Sequence, residues 1–240
     1  MILLEPTARP VVGHRGAAGD YPENTLLSFD QALKQGADAL ELDVRLSADG
    51  HAVVIHDPTV DRTTDGSGPV RSFTVAQLRA LDAGEGQGVP TLEDVLARYP
   101  DTPLILEVKE AEVAAVAAAA LIRHGAAKRV LVGSFVHAAM RPFRAGFYRS
   151  ASRRETALSW LASRMRAQVP GLRVHAFTVP ERHGALKVVD AAFVATARRR
   201  GRPVHVWTVD DADQARRLRG LGVAGIITNR PSSLRTALTG

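Results

Sequence analysis

The sequence of 240 residues contains no cysteine, and this absence excludes disulfide bonds, thiolate zinc sites and cysteine nucleophiles. No apolar run approaches the roughly 20 residues that a membrane-spanning helix needs. The first ten residues, MILLEPTARP, have neither the basic flank nor the long apolar stretch of a signal peptide, so we expect a cytoplasmic protein without stable membrane insertion. Any metal ion must be bound by oxygen or imidazole ligands.

Aromatic residues are also scarce, at 5% of the chain, and none is interleaved among basic residues to stack nucleic-acid bases. The net charge is +6, but residues 1–120 sum to −10 and residues 121–240 to +16. Such an asymmetry is typical of nucleic-acid or membrane surfaces. The arginines fall mostly at predicted helix ends, as in residues 197–202 and 215–220, where cations complement the helix dipole. We therefore expect no nucleic-acid partner.

Short β-branched runs alternate with longer helical patterns along the chain, and this rhythm is typical of a parallel α/β fold. Strands are predicted at 11–15, 39–46, 103–109, 129–135, 148–154, 173–179, 203–209 and 225–229, with a further short strand at 53–57. Helices are predicted at 23–36, 91–99, 111–125, around 137–146, and at 155–168, 187–201 and 211–222. Eight strands that alternate with helices in this length predict a (β/α)8 TIM barrel. We expect a single domain over 1–240 with a small inserted lobe at about 58–90.

Three acidic side chains lie in otherwise apolar strands. Glu41 and Asp43 are two residues apart in ALELDV, so both face one side of the strand, and Glu107 occupies the same setting in PLILEVK. Buried carboxylates need a cation to offset their charge. Three of them suit one hard divalent cation, Mg²⁺ or Ca²⁺. The alternative is a structural ion pair with arginine, and Lys109 could either neutralise surplus charge or hold a phosphate.

Two histidines lie at the ends of predicted strands. His14 comes with Arg15 and Gly16 at the end of the first strand, and His56 with Asp57 closes the run VVIHD. Imidazole titrates near neutral pH, so two such histidines beside a metal can divide general acid and general base work. Trp207, at the end of the seventh strand, is either an apolar wall of the site or a core residue. We expect the other six histidines to be surface or core residues.

Several segments in order resemble the glycerophosphodiester phosphodiesterase family: HRGAAGDYPENTLLSF, GADALELDVRLSADGHAVVIHDPTVDRTTDG, PTLEDVL, LILEVK, VWTVDD and GVAGIITNRP. The resemblance extends from about residue 11 to 232 and implies a (β/α)8 barrel with a lobe after the second strand. It implies hydrolysis of a small-molecule glycerophosphodiester to sn-glycerol 3-phosphate and an alcohol. Mapped residue by residue, it implies metal ligands Glu41, Asp43 and Glu107, catalytic His14 and His56, phosphate-binding Arg15 and Lys109, and supporting Glu23 and Asn24.

The resemblance favours His14 as the base and His56 as the acid, whereas the residues alone do not distinguish them. The nucleophile is either water or the glycerol 2-hydroxyl. Two positions depart from the family pattern: Asn229 stands where TDRP is usual, and Asp210 where WTVN is usual. We expect these departures to bear on substrate preference more than on catalysis.

Three alternatives remain open at this point. The same barrel could act on lysophospholipids in a phospholipase D-like manner, which would require an apolar rim. It could bind phosphorylated metabolites without turning them over, or its basic half could bind an anionic surface in a salt-dependent manner. The preferred alcohol, the choice between Mg²⁺ and Ca²⁺ and the oligomeric state do not follow from the sequence.

Overall fold

The structure, a computed structural model, describes residues 1–165, 167 and 169–239. Its main sheet contains eight parallel strands, which are β1 (Val11–His14), β2 (Ala39–Leu46), β4 (Leu104–Val108), β5 (Val130–Gly133), β6 (Tyr148–Arg149), β7 (Phe177–Pro180), β10 (Val204–Trp207) and β11 (Gly225–Thr228). Their order in the sheet is β6-β5-β4-β2-β1-β11-β10-β7. A parallel bridge between Ser150 and Ala176 links the two outer strands, so that the sheet curls round into a barrel.

Three further strands lie off this path. The short β3 (Ala52–Val54) pairs antiparallel with β2, and β8 (Arg182–His183) forms a separate hairpin with β9 (Leu186–Lys187). The α-helices are α1 (Leu26–Lys34), α2 (Val75–Ala80), α3 (Leu92–Arg98), α4 (Ala114–Arg123), α5 (Arg153–Arg164), α6 (Ala191–Arg198), α7 (Ala212–Gly220) and α8 (Pro231–Thr239). Short 3-10 helices occupy Ile2–Leu4, Val70–Ser72, Ala126–Lys128 and His137–Met140. The predicted barrel class is confirmed.

Apolar side chains are buried in two layers, as the alternation of side chains along barrel strands requires. One layer lies between the strands and the helices and contains residues such as Phe29, Leu40 and Leu104. The other lies inside the barrel, where Leu3 of the first 3-10 helix packs among side chains from the strands, including those of Val12, Ile105, Leu131 and Ile227. Among the described helices, none is both long and apolar enough to cross a membrane.

The chain between β3 and α3 packs a small core of its own. Val60, Val70, Leu78 and Val89 are buried there together with Val53 and Ile55, which come from β3 and the residues after it. Helix α3 then begins at a reciprocal cap: Thr91 Oγ1 accepts from the Asp94 N–H, and the Asp94 carboxylate accepts from the Thr91 N–H at 2.9 Å. Such a cap satisfies two donors that a helix start otherwise leaves unpaired.

Several local predictions were wrong at the level of element type or length. The strand predicted at 148–154 is reduced to Tyr148–Arg149, because its remaining residues are largely Ser and Arg and give little apolar surface to bury. The helix predicted around 137–146 is a single 3-10 turn, His137–Met140, since Pro142 lacks the N–H that a longer helix would use. The eight strands are therefore followed by seven α-helices of the barrel and one 3-10 turn, within the described residues.

Several observed element boundaries also differ from the predicted ones. The strand predicted at 173–179 begins only at Phe177, and the one predicted at 53–57 ends at Val54. The helix predicted at 187–201 begins at Ala191 after the Asp190 cap, because Lys187 pairs in the β8–β9 hairpin. Of the helix predicted at 155–168, residues 166 and 168 lie outside the described part of the chain.

Candidate active site

Polar residues from neighbouring strands meet at the carboxyl edge of the barrel, where (β/α)8 enzymes carry their active sites. His14 ends β1, Glu107 lies near the end of β4 and Trp207 ends β10. These side chains line one cavity, whose full lining is His14, Arg15, Glu41, His56, Ile105, Leu106, Glu107, Lys109, Gly133, Ser134, Phe135, Ala151, Thr178, Trp207, Thr208 and Ile227. Both predicted histidines, two of the three predicted carboxylates and all three predicted phosphate- or substrate-binding residues therefore lie in the same cavity wall.

The three predicted metal-binding carboxylates form one cluster. Glu41 and Asp43 lie on β2, and the register of β2 with β4 places Asp43 directly beside Glu107. One carboxylate oxygen from each residue lies within 4.8 Å of the others. Glu41 is 6% exposed and Asp43 only 1%. Two buried acids and a third beside them concentrate negative charge at this edge of the barrel.

Electrostatics show that the protein offsets this charge only in part. Burial raises the pKa of Glu41 well above its ordinary value, and the charges of Asp43 and Glu107 raise it further. Burial, followed by Asp43, also raises the pKa of Glu107. The cluster would be relieved by an added cation, and three carboxylates are the donor set that a hard divalent ion prefers.

Two cationic side chains border the cluster. Lys109 places Nζ 2.9 Å from Glu107 Oε1 and 3.4 Å from Asp43 Oδ1. Arg15 places Nε 3.3 Å from Asp43 Oδ2, while its backbone N–H donates to Glu41 Oε2 at 3.1 Å. Asp43 thus does form the ion pair with arginine that the sequence left open as an alternative. Both cations also face the cavity, where they can contact an anionic substrate.

The two predicted supporting residues hold these groups in place. Glu23 accepts from Arg15 Nη1 at 2.8 Å. Asn24 is buried, adopts a left-handed φ of 59° and donates from Nδ2 to Asp43 Oδ2 at 3.1 Å. Asparagine tolerates this backbone region better than most residues, so it can make the turn and hold the carboxylate at once.

The two histidines are each held through Nδ1. His14 Nδ1 lies 2.7 Å from Asn229 Oδ1, and its Nε2 lies 3.9 Å from Glu41 Oε2. Burial lowers the pKa of His14, and neighbouring Arg15 lowers it further, so the neutral imidazole is favoured. His56 Nδ1 lies 2.6 Å from Asp57 Oδ1. Because Nδ1 makes this contact in both rings, Nε2 is the ring atom that can exchange a proton with a substrate.

Sequence reasoning missed Arg62, which connects two parts of the site. Arg62 donates from Nε to Asp57 Oδ2 at 2.6 Å and from Nη2 to Glu23 Oε1 at 2.8 Å. This arginine holds the pKa of Asp57 below its ordinary range. It therefore links the residue that orients His56 to the residue that orients Arg15. The only signal in the sequence was its position five residues after Asp57 in HDPTVDR.

An aromatic pair, Phe135 and Trp207, gives the cavity an apolar part of its wall. The rings of Phe135 and Trp207 meet edge to face with their centroids 5.9 Å apart, and the Arg153 guanidinium lies over the Phe135 ring at 4.5 Å. Trp207 lines the cavity and also packs against the apolar cluster inside the barrel, so its position fits both interpretations that the sequence allowed. Phe135 was not singled out, because nothing in its local sequence distinguishes it from a core residue.

The two departures from the family pattern contact each other, and one of them, Asn229, contacts His14. Asn229 Oδ1 contacts the His14 ring, and Asn229 Nδ2 donates to Asp210 Oδ2 at 2.7 Å. Asn229 thus contacts a site histidine directly and Asp210 contacts it through Asn229. The expectation that these positions bear on substrate preference stays a prediction.

Comparisons with known proteins agree with this geometry. The model of the glycerophosphoryl diester phosphodiesterase family matches residues 14–233. The chain belongs to this family. Its members include a glycerophosphodiester phosphodiesterase of Caldanaerobacter subterraneus subsp. tengcongensis, 33% identical over 93% of this chain and 95% of the relative. Another, from Bacillus subtilis, is 30% identical over 95% of this chain and 86% of the relative.

A solved structure of the same kind is that of an Oleispira antarctica phosphodiesterase in complex with the product sn-glycerol 3-phosphate. It is 28% identical, superposes with a TM-score of 0.79 and covers 96% of this chain and 97% of its own. The family assignment and the enzyme class implied by the sequence, a phosphodiesterase of this family, are confirmed.

Proposed function

We propose that this protein hydrolyses glycerophosphodiesters to sn-glycerol 3-phosphate and an alcohol, with one divalent cation and with His14 and His56 as general base and general acid. The observation that carries the proposal is the carboxylate cluster of Glu41, Asp43 and Glu107, of which Glu41 and Glu107 line one cavity with both histidines. The product found in the related phosphodiesterase structure supports the same substrate class. The proposed functional unit is a single barrel domain, with the lobe at about 58–90 contributing Arg62.

Glu41, Asp43 and Glu107 would hold the cation. The fit rests on their oxygen-only donor set and on one carboxylate oxygen of each residue lying within 4.8 Å of the others. Burial and, after it, the neighbouring carboxylates raise the pKa of Glu41 and Glu107, and a bound cation would oppose both effects. When bound, a divalent cation such as Mg²⁺ or Ca²⁺ withdraws charge from phosphorus as a Lewis acid. Arg15 and Lys109 hold the remaining phosphate oxygens and stabilise the negative charge that grows in the transition state.

The histidines move the protons. His14 Nε2 takes a proton from the attacking hydroxyl group, which is either water or the substrate's 2-hydroxyl, and the hydroxyl oxygen bonds to phosphorus. The bond from phosphorus to the alcohol oxygen breaks, and His56, oriented by Asp57, gives its proton to that leaving oxygen. With water as the nucleophile this step gives glycerol 3-phosphate directly. With the 2-hydroxyl it gives a cyclic phosphate; a water molecule then adds to phosphorus, the bond from phosphorus to the 2-oxygen breaks, and that oxygen takes up the proton lost by the water. Trp207 and Phe135 exclude water from the apolar side and contact the carbon atoms of the substrate.

The first test is release of glycerol 3-phosphate from glycerophosphocholine and glycerophosphoethanolamine. The protein is assayed with EDTA, then with Mg²⁺ or Ca²⁺ added back, beside Glu41→Gln. We expect release that requires the metal and is lost in the variant. Absence of release on both diesters with either ion would overturn the proposed function. The lysophospholipid alternative is not favoured by the comparisons, and the cytoplasmic location remains a prediction.

The histidine roles need a separate test with two leaving groups. His14→Ala and His56→Ala are compared on an unactivated diester and on one with a good leaving group. General acid and base groups contribute roughly 100-fold or more to rate. A good leaving group needs no protonation, so it should restore the hydrolysis rate of His56→Ala, whereas His14→Ala should remain slow on both substrates. If the good leaving group restored the rate of His14→Ala instead, the two roles would be reversed. If both variants lost less than about tenfold in rate, neither histidine would be the general acid or the general base.

A further inference from the structure

The carboxyl ends of three neighbouring strands are joined by a chain of hydrogen bonds that ends at His14. The strands β1, β11 and β10 are adjacent in the sheet. His14 is the last residue of β1, Asn229 follows β11, and Asp210 lies three residues after the end of β10. Asp210 contacts Asn229, and Asn229 contacts His14. Neither Asn229 nor Asp210 belongs to the set of residues assigned above to metal, phosphate or proton transfer.

The direction of each bond follows from Asp210, because a carboxylate has no hydrogen to donate. Its Oδ1 accepts from Thr228 Oγ1 and from the Asn229 backbone N–H, both at 2.8 Å. Its Oδ2 is left for the Asn229 side chain, 2.7 Å away. The group of Asn229 that faces Asp210 must therefore be the NH₂ group, and the orientation of this amide is determined by its partner.

With the NH₂ group fixed on Asp210, the amide oxygen of Asn229 must face His14. That oxygen lies 2.7 Å from His14 Nδ1 and can only accept, so Nδ1 carries the ring hydrogen. His14 Nε2 then has a free lone pair on the side where Glu41 Oε2 lies 3.9 Å away. This is the tautomer that a general base acting through Nε2 requires.

We propose that Asp210 and Asn229 are positioning residues that fix the tautomer and ring orientation of His14, with Asn229 transmitting the effect of the Asp210 carboxylate. The catalytic consequence rests on the proposed function, whereas the tautomer does not. An amide alone can turn either face towards a histidine, so Asn229 needs Asp210 to hold it in the productive orientation. The two residues that depart from the family pattern thus act as a matched pair.

Exchanging the pair provides a sharp test. In Asp210→Asn, the Thr228 hydroxyl and the Asn229 N–H keep the side-chain oxygen of residue 210, so its new NH₂ group faces the NH₂ group of Asn229. Asn229 then turns over, offers N–H to His14 Nδ1 and selects the tautomer with hydrogen on Nε2. We expect kcat to fall on the order of 100-fold, with KM within about threefold of the original.

The double variant Asp210→Asn, Asn229→Asp restores every donor and acceptor with the two side chains exchanged. We expect its kcat to recover to within about tenfold of the unmodified protein, so the second substitution rescues the first. The matched control is Asp213→Asn, which removes an exposed carboxylate near the start of α7 that pairs with Arg216 at 2.7 Å. It should leave kcat unchanged.

Nitrogen-15 NMR of labelled histidine reports the tautomer directly, with and without Mg²⁺. We expect the neutral ring of His14 to carry hydrogen on Nδ1 in the unmodified protein and in the double variant, and on Nε2 in Asp210→Asn. The same tautomer in all three, or a single variant as active as the unmodified protein, would overturn the inference. If the unmodified protein released no glycerol 3-phosphate, the proposed function would fail while the NMR result still decided the positioning role.

Discussion

Glu41 is the residue at which function and stability are most clearly opposed. Its side chain is 6% exposed, and both burial and the charges of Asp43 and Glu107 raise its pKa. A raised folded-state pKa means that ionising Glu41 costs more in the folded protein than in the unfolded chain. Stability from this group is therefore present at low pH and lost as pH rises through the raised pKa. The metal-free protein at pH 8 carries that cost.

Glu41→Gln is expected to stabilise the metal-free protein while abolishing activity. Glutamine keeps the shape and an oxygen that accepts from the Arg15 N–H, but it carries no charge. A gain of about 1 kcal/mol would raise the Tm by about 2–4 °C in a domain of this size. Thermal unfolding at pH 8 in EDTA measures the effect. A Tm below that of the unmodified protein would show that Glu41 is not under electrostatic strain.

Addition of Mg²⁺ or Ca²⁺ completes this experiment. A ligand that binds only the folded state stabilises it by about 2.7 kcal/mol at 100 times its Kd. The unmodified protein should therefore gain Tm on metal addition and Glu41→Gln should gain little. The matched control is Glu110→Gln: Glu110 is held by the Leu46 N–H at 2.9 Å and by Arg45 at 3.0 Å, so its loss should lower the Tm and leave the metal response intact.

Among the elements, the turn from β1 into α1 carries three residues of the site. It follows directly on His14 at the end of β1, contains Arg15, Glu23 and Asn24, and requires glycine at position 16. Gly16 has a φ of +89°, and a Cβ there would lie 2.4 Å from Ser28 Oγ and 2.7 Å from the Ser28 carbonyl oxygen. Both the backbone conformation and the available space therefore exclude a side chain.

Gly16→Ala is expected to cost several kcal/mol and to lower activity. A positive φ costs an alanine roughly 1–2 kcal/mol, and relieving the overlap with Ser28 costs roughly 1–3 kcal/mol more. Gly50→Ala is the matched control, because Gly50 has a φ of +81° with no atom within 4 Å of the added Cβ. Urea unfolding should show the larger loss at position 16. Equal losses would mean that the backbone angle alone makes glycine necessary there.

The sequence predicted the carboxylates of the site more accurately than it predicted the bounds of individual helices and strands. Glu41, Asp43 and Glu107 were identifiable because charged residues interrupt apolar strands, a local pattern. The broken fourth helix was signalled by Pro142 and the short fifth strand by its polar residues, but the pairing of Ser150 with Ala176 was not signalled, since it depends on closing the barrel. Tertiary contacts of this kind have no local signal.

Arg62 and Asn229 were missed as site residues for the same reason. Arg62 reaches Glu23 across 39 positions of sequence, and Asn229 reaches His14 across 215. Their partners become visible only when the order of strands is known. Asn229 was noticed in the sequence only as a departure from a family motif, and its contact with a histidine follows from β11 lying beside β1.

At the scale of the whole molecule, closing the barrel brings the acidic first half and the basic second half of the chain together. Arg235 of α8 pairs with Asp38, and Arg230 lies 3.2 Å from Asp20. Arg123 pairs with Glu93 at 2.6 Å. Part of the charge asymmetry in the sequence is therefore used in contacts between the halves, which gives the basic second half a role other than binding an anionic partner.

The closed barrel also buries a histidine that couples folding to pH. His205 on β10 is fully buried, and its Nε2–H donates to the Leu3 carbonyl oxygen at 2.8 Å. Its Nδ1 has no hydrogen-bond partner among the described residues, and a Cβ at Gly225 would lie 1.9 Å from it. A proton on Nδ1 would therefore be buried without an acceptor. Burial accordingly lowers the pKa of His205 to about 4.

The lowered pKa predicts a loss of stability in mild acid. The unfolded chain takes up the proton near pH 6.5 and the folded protein only near pH 4, so the unfolded state binds more protons between these values. The contribution of His205 to the free energy of unfolding is fully present above pH 6.5 and falls as pH drops towards 4. The loss from this group amounts to roughly 3 kcal/mol. The free energy of unfolding in urea, measured from pH 7 to pH 4, should fall less steeply with pH in His205→Gln than in the unmodified protein. In the exposed control His183→Gln it should fall as steeply as in the unmodified protein. An NMR titration of the His205 ring in the unmodified protein tests the same point without a substitution: a midpoint near 6.5 would contradict it.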